Sequence, residues 1–149
     1  MHESYLESGN DVARGIVRGY SDFGNGLEDV TEINEGLGLG DGGIISTAED
    51  LALFPRALLR GELFSEAMLN EMLTLVDDGE GDLYGLGIIY YESEWGALYG
   101  HTGATAGFQA EMWYLPDYDF TVVALTNNFD SAILSSLVDE AMSAALGEP

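Results

Sequence analysis

FQAEMWYLPDYDFTVVALT, residues 108–126, contains two apolar runs separated by the turn-forming residues 116–119. The first run is rich in aromatic side chains and the second in β-branched ones, and both kinds favour strands. Proline, aspartate and tyrosine between them are typical of a hairpin connection. The stretch therefore predicts an antiparallel hairpin with strands at Phe108–Leu115 and Phe120–Thr126.

The flanking sequence extends this hairpin into a larger antiparallel unit. Upstream, residues 86–91 predict a strand, a short strand is expected around His101, and residues 103–107 read as a tight connection. Downstream, an apolar stripe at helical spacing predicts a final helix, with Asn127, Asn128 or Asp130 as its N-cap and Gly147 at its end. The pattern indicates an antiparallel meander with one helix packed on a face.

The first half of the chain has a different character. Residues 7–43 are rich in glycine and acidic residues and show little periodicity, so we expect a long loop there. Thr47 with Asp50 predicts a capped helix start, and Pro55 predicts a kink or break in that helix. A second helix is expected from Ser65. We predict an α+β fold in one domain, residues 1–149. It comprises a loop and helical segment at 1–82 and an antiparallel sheet with a C-terminal helix at 83–149.

The charge balance excludes several functions. The 149 residues include 27 acidic residues against four arginines, with no lysine and no cysteine, for a net charge of −23. Such a surface is repelled by nucleic acids and anionic membranes, so we expect neither as a partner. Without lysine or cysteine, this chain has no Schiff-base lysine, thiol nucleophile or disulfide. The acidity indicates either adaptation to salt, as in a halophilic or marine protein, or an ordinary solvated surface.

His101 is the best candidate for chemistry. It lies in GHTGATAGF, residues 100–108, where glycines allow a close approach to the backbone. An imidazole beside a hydroxyl and free backbone N–H groups can bind a carboxylate or an oxyanion. The alternative is a histidine that bonds only to its own turn. No metal or cofactor is expected, because residues 77–82 do not match the EF-hand loop and the two histidines have no ligand spacing.

Four segments resemble one known family in their order along the chain. They are GDGGIISTAEDLA at residues 40–52, YGLGI at 84–88, GHTG at 100–103 and LTN at 125–127. Together they resemble the serine β-lactamase and D-alanyl-D-alanine carboxypeptidase family, the class C-like penicillin-recognising proteins. The resemblance implies a partial β-lactamase/transpeptidase-like fold and acyl-enzyme hydrolysis of β-lactams, D-Ala-D-Ala peptides or small esters. Its members are typically periplasmic or secreted.

The resemblance also implies roles for the third-motif segment. His101 and Thr102 would bind the substrate carboxylate, Gly103 would lie beside the substrate, and the backbone N–H of Ala104 would donate to the oxyanion. The family's S-x-x-K and Y-x-N motifs are absent from this sequence. The chain therefore resembles the C-terminal part of such an enzyme and is expected to be inactive alone. The alternative is a non-catalytic remnant or binding module.

The resemblance also implies which partners the chain binds. In the family, as the resemblance implies, the sheet has five strands, two of which come from the N-terminal part and lie beside the last strand. We therefore expect a three-stranded remnant whose strand Phe120–Thr126 is an open edge. This edge is predicted to pair with a second copy, as a homodimer, or with an N-terminal half. A small acyl substrate is the expected ligand of a completed site.

Overall fold

The computed structural model describes residues 1–7, 15–33, 40, 42–77, 79, 83–129 and 133–148. Within these ranges, ten strands lie in chain order: β1 Tyr5–Leu6, β2 Tyr20–Asp22, β3 Leu27–Asp29, β4 Ile44–Ile45, β5 Val76–Asp77, β6 Leu83–Tyr84, β7 Ile89–Ser93, β8 Gly96–Thr105, β9 Phe108–Leu115 and β10 Phe120–Thr126. The helices are α1 Ala48–Leu59, α2 Glu66–Met72 and α3 Leu134–Leu146. No helix within these ranges has the length and apolar character needed to span a membrane.

The main sheet is an antiparallel meander with strand order β10-β9-β8-β7-β6-β5. The predicted hairpin is confirmed with its strand bounds, and Leu115 pairs with Phe120 across the turn. The expectation of three strands was wrong, because β7 to β10 already form four strands and β5 and β6 join the sheet beside β7, which gives six in the described residues. These two strands have only two residues each, too few for an alternating pattern to be recognised.

The core lies between α3 and one face of this sheet. Its buried members are Leu98, Leu115, Val122, Val138 and Met142, with Trp95, Trp113 and Phe120 packed around them. Each fully buried aliphatic side chain of this kind stabilises the fold by about 1.5–3 kcal/mol. The predicted helix on one face of the meander is therefore present, and it supplies two of the five buried residues.

Helix α1 packs against β9 and β10. Tyr114, which neighbours Leu115 and so faces the other side of the sheet, is buried along with Pro55 and Leu58 of this helix. The hydroxyl of Thr47 accepts from the Asp50 N–H at 3.2 Å, which confirms the predicted cap. Of the kink or break predicted at Pro55, the break was wrong, because α1 runs without interruption from Ala48 to Leu59. Pro55 is fully buried, and this burial offsets the hydrogen bond that the proline removes.

The strand expected at residues 86–91 begins later, at Ile89. A turn precedes it, in which the Gly85 N–H donates to the Ile88 carbonyl at 2.8 Å and the Leu86 N–H donates to the Met72 carbonyl at 2.9 Å. A Cβ atom on Gly85 would lie 2.3 Å from that Met72 oxygen. The backbone at residue 85 therefore passes so close to the end of α2 that only glycine fits there. Because this turn occupies residues 85–88, the strand begins only after it.

Two further boundaries differ from expectation. Strand β8 continues to Thr105, so residues 103–105 belong to the sheet and not to a tight connection. Helix α3 begins at Leu134 with Ile133 as its N-cap residue and no side-chain cap. The amide of Asn127 instead donates to the Arg18 carbonyl at 2.8 Å, and Asp130 lies outside the described residues. The predicted end of α3 at Gly147 is confirmed.

The segment expected to be a loop, residues 7–43, contains a small hairpin in its described part. Strands β2 and β3 pair with each other, and the Tyr20 N–H donates to the Asn127 carbonyl at 2.9 Å. The Phe129 N–H in turn donates to the Tyr20 carbonyl at 3.1 Å. Residues 8–14, 34–39 and 41 of this segment lie outside the described part. Contacts with the end of β10 stabilise strands too short to predict from periodicity.

Candidate functional site

His101 lies on β8 with both of its ring nitrogens hydrogen-bonded. Its Nδ1 is 2.5 Å from the carbonyl oxygen of Thr102, and its Nε2 is 2.7 Å from the hydroxyl oxygen of Tyr84. The two rings meet edge to face, with centroids 5.6 Å apart and an interplanar angle of 82°. Tyr84 and His101 therefore form a pair, with the tyrosine contributed by β6 and the histidine by β8.

These partners determine the tautomer of the neutral imidazole. A carbonyl oxygen can only accept, so the Nδ1 atom of His101 must carry a proton and donate it to Thr102. The remaining nitrogen, Nε2, is then an acceptor, and the Tyr84 hydroxyl donates to it. No ring nitrogen of His101 is left for a ligand in this arrangement. A ligand that binds to the imidazole has to displace Tyr84 or bind alongside it.

Beyond His101, residues 102–105 of β8 form a strand edge that is open on one side, which we call the half-edge. Thr105 and Phe108 close a two-residue hairpin, so these two residues exchange hydrogen bonds and every second residue of β8 does the same with β9. The N–H and C=O groups of Thr102 and Ala104 therefore point away from β9. Strand β7 starts at Ile89, opposite Gly100, and in the described chain it does not extend along this part of β8.

The half-edge is accessible to solvent. Thr102, Gly103, Ala104 and Thr105 are all exposed, and a Cβ atom added to Gly103 would meet no atom within 4 Å. Outward amides on an exposed strand offer donors to an extended ligand, as in recognition by strand addition. The structure thus brings three of the predicted site residues, Thr102, Gly103 and Ala104, to one accessible edge directly beside His101.

The other two glycines of this segment have structural roles. A Cβ atom on Gly100 would lie 1.9 Å from the Met112 carbonyl oxygen and 2.8 Å from the Trp113 ring. Gly107 has φ +77°, and its added Cβ atom would lie 2.7 Å from the backbone of Gly19. The close approach that the sequence predicted is therefore made by the protein itself at both positions, whereas Gly103 faces open space.

Tyr84 is the residue of this site that the sequence analysis did not identify. It was part of the YGLGI segment but was given no role. The register aligns Tyr84 with Ile89 and Ile89 with Gly100, which brings the tyrosine next to His101. To find the Tyr84–His101 contact from sequence, one would have to predict both strand β6 and its pairing with β7. The short strand carries no periodic signal, so only the tertiary structure reveals the contact.

The serines near helix starts are held by neighbouring groups. Ser65 accepts from the Met68 N–H at 3.4 Å as the N-cap of α2. The Ser46 hydroxyl is 2.8 Å from that of Ser4, which donates to the buried carboxylate of Asp50 at 2.8 Å. This network joins the first residues to α1. Within the described ranges, no three His, Asp or Glu side chains cluster in a way that could hold a metal ion.

Residues 1–143 match the family model described as Beta-lactamase. The chain belongs to the Beta-lactamase family. Among solved structures, a D-stereospecific amidohydrolase from Streptomyces sp. is similar at 27% identity and TM-score 0.74, over 91% of this chain and 41% of that chain. A penicillin binding protein from Bacillus halodurans is similar at 26% identity and TM-score 0.77, over 95% of this chain and 45% of that protein's chain.

A third solved structure has the same fold as this chain. It is the D-amino acid amidase from Ochrobactrum anthropi SV3, at 24% identity and TM-score 0.74, over 98% of this chain and 46% of that chain. The chain therefore spans less than half the length of each of these solved structures. The predicted family and the partial β-lactamase/transpeptidase-like α+β fold are confirmed.

Proposed function

We propose that this chain supplies the substrate-binding edge of a serine hydrolase of the Beta-lactamase family. The observation that carries the proposal is the half-edge at residues 102–105, where the backbone of Thr102 and Ala104 points outward beside His101. An extended acyl substrate fits such an edge because its backbone groups complete the strand pattern.

Each residue of the half-edge has a separate task in this proposal. The Thr102 hydroxyl donates to the substrate carboxylate, and the Ala104 N–H donates to the oxyanion that develops at the attacked carbonyl. Gly103 leaves space for the substrate. The Tyr84–His101 pair borders the site, and the imidazole takes part in carboxylate binding when Tyr84 releases Nε2. An oxyanion donor contributes about 2.7–4 kcal/mol to the stabilisation of a transition state in enzymes of this kind.

The chain by itself is proposed to be inactive. Acyl-enzyme chemistry requires a nucleophile and a base, and the S-x-x-K and Y-x-N motifs are absent from the sequence. Substrate can then bind at the edge, but no covalent step follows. The names of the related proteins, a penicillin binding protein and a D-stereospecific amidohydrolase, support β-lactams or amides of D-configured compounds as the substrate class. D-Ala-D-Ala peptides and small esters are proposed only because the motif resemblance implies them.

A non-catalytic binding module is the second candidate. It is favoured by the engagement of both His101 ring nitrogens, because a histidine tied to Thr102 and Tyr84 is held in place and is not free for proton transfer. In this reading the half-edge binds an extended peptide without turnover. The acidic composition supports a further proposal, that the protein is adapted to a salty environment, as halophilic and marine proteins are.

NMR titration of the ¹⁵N-labelled chain with N-acetyl-D-alanyl-D-alanine tests the edge. We expect the amide signals of Thr102 and Ala104 to shift, and the L,L enantiomer of the peptide to shift them less. Ala104→Pro removes the outward N–H and should abolish the shifts, whereas Ala104→Ser keeps the N–H and should retain them. Unchanged amide signals at saturating peptide would contradict binding at the half-edge.

Labelling with a fluorescent penicillin tests the absence of catalysis separately. We expect no covalent adduct on the native chain, and the denatured chain serves as the background control. Stoichiometric acylation of a serine would overturn the proposed inactivity while leaving the binding edge intact. Binding at the edge without any labelling, and with shifts of equal size for both enantiomers of the peptide, would favour the binding module.

A further inference from the structure

The LTN segment at the end of β10 holds the stretch that leads into β2, residues 18–20, which we call the support segment. The side-chain amide of Asn127 donates to the Arg18 carbonyl at 2.8 Å, and the Asn127 carbonyl accepts from the Tyr20 N–H at 2.9 Å. The Phe129 N–H donates to the Tyr20 carbonyl at 3.1 Å. Three hydrogen bonds therefore join the support segment to the chain that follows β10.

The support segment is held on its other side as well. The Gly19 N–H donates to the Thr31 hydroxyl at 2.9 Å, and the Val30 N–H donates to the Gly19 carbonyl at 2.9 Å. The backbone groups of Gly19 and Tyr20 are thus all engaged, on one side by the residues after β3 and on the other by those after β10. Gly19 is also buried. A buried backbone that is bonded on both sides resists local opening.

The β8–β9 turn packs directly on this segment. A Cβ atom on Gly107 would lie 2.7 Å from the carbonyl carbon of Gly19 and 2.7 Å from the nitrogen of Tyr20. A Cβ atom on Gly19 would in turn lie 2.4 Å from the Phe108 ring. The turn and the segment therefore meet without a side chain between their backbones. Because closely packed groups transmit displacements, a shift of the support segment moves the turn.

The half-edge is the part of β8 that ends in this turn. Gln109 lies opposite Ala104 in the β8–β9 register, is buried, and donates from its side-chain amide to the Phe129 carbonyl at 3.1 Å. The contacts form a closed circuit that leaves β9 at Gln109, passes through the support segment and returns at Gly107. In the described chain β7 does not extend along the half-edge. The position of the Ala104 N–H therefore depends on β9 and on this circuit.

We propose that Asn127 is a positioning residue, which fixes the outward N–H of Ala104 through the support segment and the β8–β9 turn. The inference rests on the proposed function, in which that N–H donates to the oxyanion. Such a donor is effective within about 2.7–3.1 Å of the developing charge. A misplacement of about 1 Å costs on the order of 100-fold in rate. The Asn127 amide touches no substrate and acts only by holding the Arg18 carbonyl.

NMR relaxation dispersion of the ligand-free ¹⁵N-labelled chain tests the inference. In the wild type we expect no microsecond-to-millisecond exchange at the amides of Ala104 and Thr105. Asn127→Ala removes the side-chain bond to the support segment and should introduce such exchange at both amides. Ser93→Ala is the matched control, because the Ser93 hydroxyl donates to the Gly96 carbonyl at 2.8 Å in the turn at the other end of β8. This variant loses a comparable bond and should leave both amides unchanged.

Titration with N-acetyl-D-alanyl-D-alanine adds a binding readout. Asn127→Ala should bind the peptide about two- to tenfold more weakly, the range expected for one lost hydrogen bond, and Ser93→Ala should bind it as the wild type does. A wild-type chain that binds no peptide would overturn the proposed function. A wild-type chain that binds it, with Asn127→Ala unchanged in both exchange and affinity, would overturn the positioning role alone.

Hydrogen exchange of the wild-type chain is a second measurement, which does not depend on the folding of Asn127→Ala. The N–H groups of Tyr20 and Phe129 bond the support segment to the chain after β10, and the Phe108 N–H closes the β8–β9 turn. If the turn depends on the segment, the three amides open together and their protection factors agree within about fivefold. A larger difference between Phe108 and the other two, in either direction, would overturn the inference.

Discussion

Arg56 and Asp119 join the first helix to the hairpin turn through two parallel hydrogen bonds. The Arg56 Nε donates to Oδ1 at 2.9 Å and its Nη2 donates to Oδ2 at 2.7 Å, while Arg60 lies 3.5 Å from the same carboxylate. Asp119 has φ 48°, a left-handed conformation that few residues adopt readily. The turn conformation and the helix position are thus secured by one side chain.

This pairing predicts an acid-sensitive fold. The Arg56 hydrogen bond holds the pKa of Asp119 well below its ordinary value of 3.8. The hydroxyl and N–H of Thr31, together with Arg18, lower the pKa of Asp29 to about 2. A lowered folded-state pKa contributes stability above the ordinary value, and this contribution is lost as pH falls through the folded value. We expect the melting temperature to fall from about pH 4 towards pH 2.

Asp119→Asn should lower the melting temperature at neutral pH and flatten its decline in acid. Asparagine also adopts the left-handed conformation, so the variant removes the charge and one acceptor oxygen without imposing a different turn conformation. Asp117→Asn is the control, since this carboxylate belongs to the same turn and the described residues show no ion pair for it. Thermal denaturation followed by circular dichroism at several pH values measures both effects. An Asp119→Asn profile parallel to wild type would contradict the assignment.

The Tyr84–His101 contact predicts a defined tautomer. Long-range ¹H–¹⁵N correlation spectra of the native chain should show the His101 proton on Nδ1 and a hydrogen-bonded Nε2. In Tyr84→Phe, the Nε2 signal should move towards that of a free imidazole nitrogen, while His2 serves as the internal control. Spectra in which the proton resides on Nε2 in both proteins would refute the deduced hydrogen-bond direction.

Gly100 and Gly103 should respond very differently to the same substitution. In Gly100→Ala the new methyl group collides with the Met112 backbone and the Trp113 ring, so we expect a loss of about 1–3 kcal/mol in unfolding free energy, or more. Gly103→Ala, on the same strand, meets open space and should change stability by less than about 0.5 kcal/mol. Urea denaturation compares the two. Equal effects would show that the β8–β9 spacing at Gly100 is not as tight as described.

The net charge of −23 predicts stabilisation by salt. Repulsion among exposed carboxylates is screened over about 3 Å in roughly 1 M salt, compared with about 10 Å at 0.1 M. We expect the melting temperature to rise with NaCl up to the molar range. Sucrose at matched osmolality separates charge screening from general exclusion effects. A melting temperature that rises equally in sucrose and NaCl would argue against screening.

Residues with strong local signals were predicted correctly. The hairpin at residues 108–126, the cap at Thr47 and the end of α3 at Gly147 each depend on side chains close in sequence, so their local patterns were sufficient. The errors at Pro55, at Leu86 and at the start of α3 have a common origin. In each case, contacts with a distant part of the chain outweighed the local preference.

The sequence by itself determined the family, the antiparallel meander and three residues of the candidate edge, because motif order and strand composition are properties of the linear chain. Only the tertiary structure decided that Tyr84 meets His101 and that the backbones of Thr102 and Ala104 face outward. Those facts depend on strand pairing and register between segments far apart in sequence. A shift of register by one residue would turn the same side chains to the opposite face of the sheet. The register therefore cannot be deduced from composition alone.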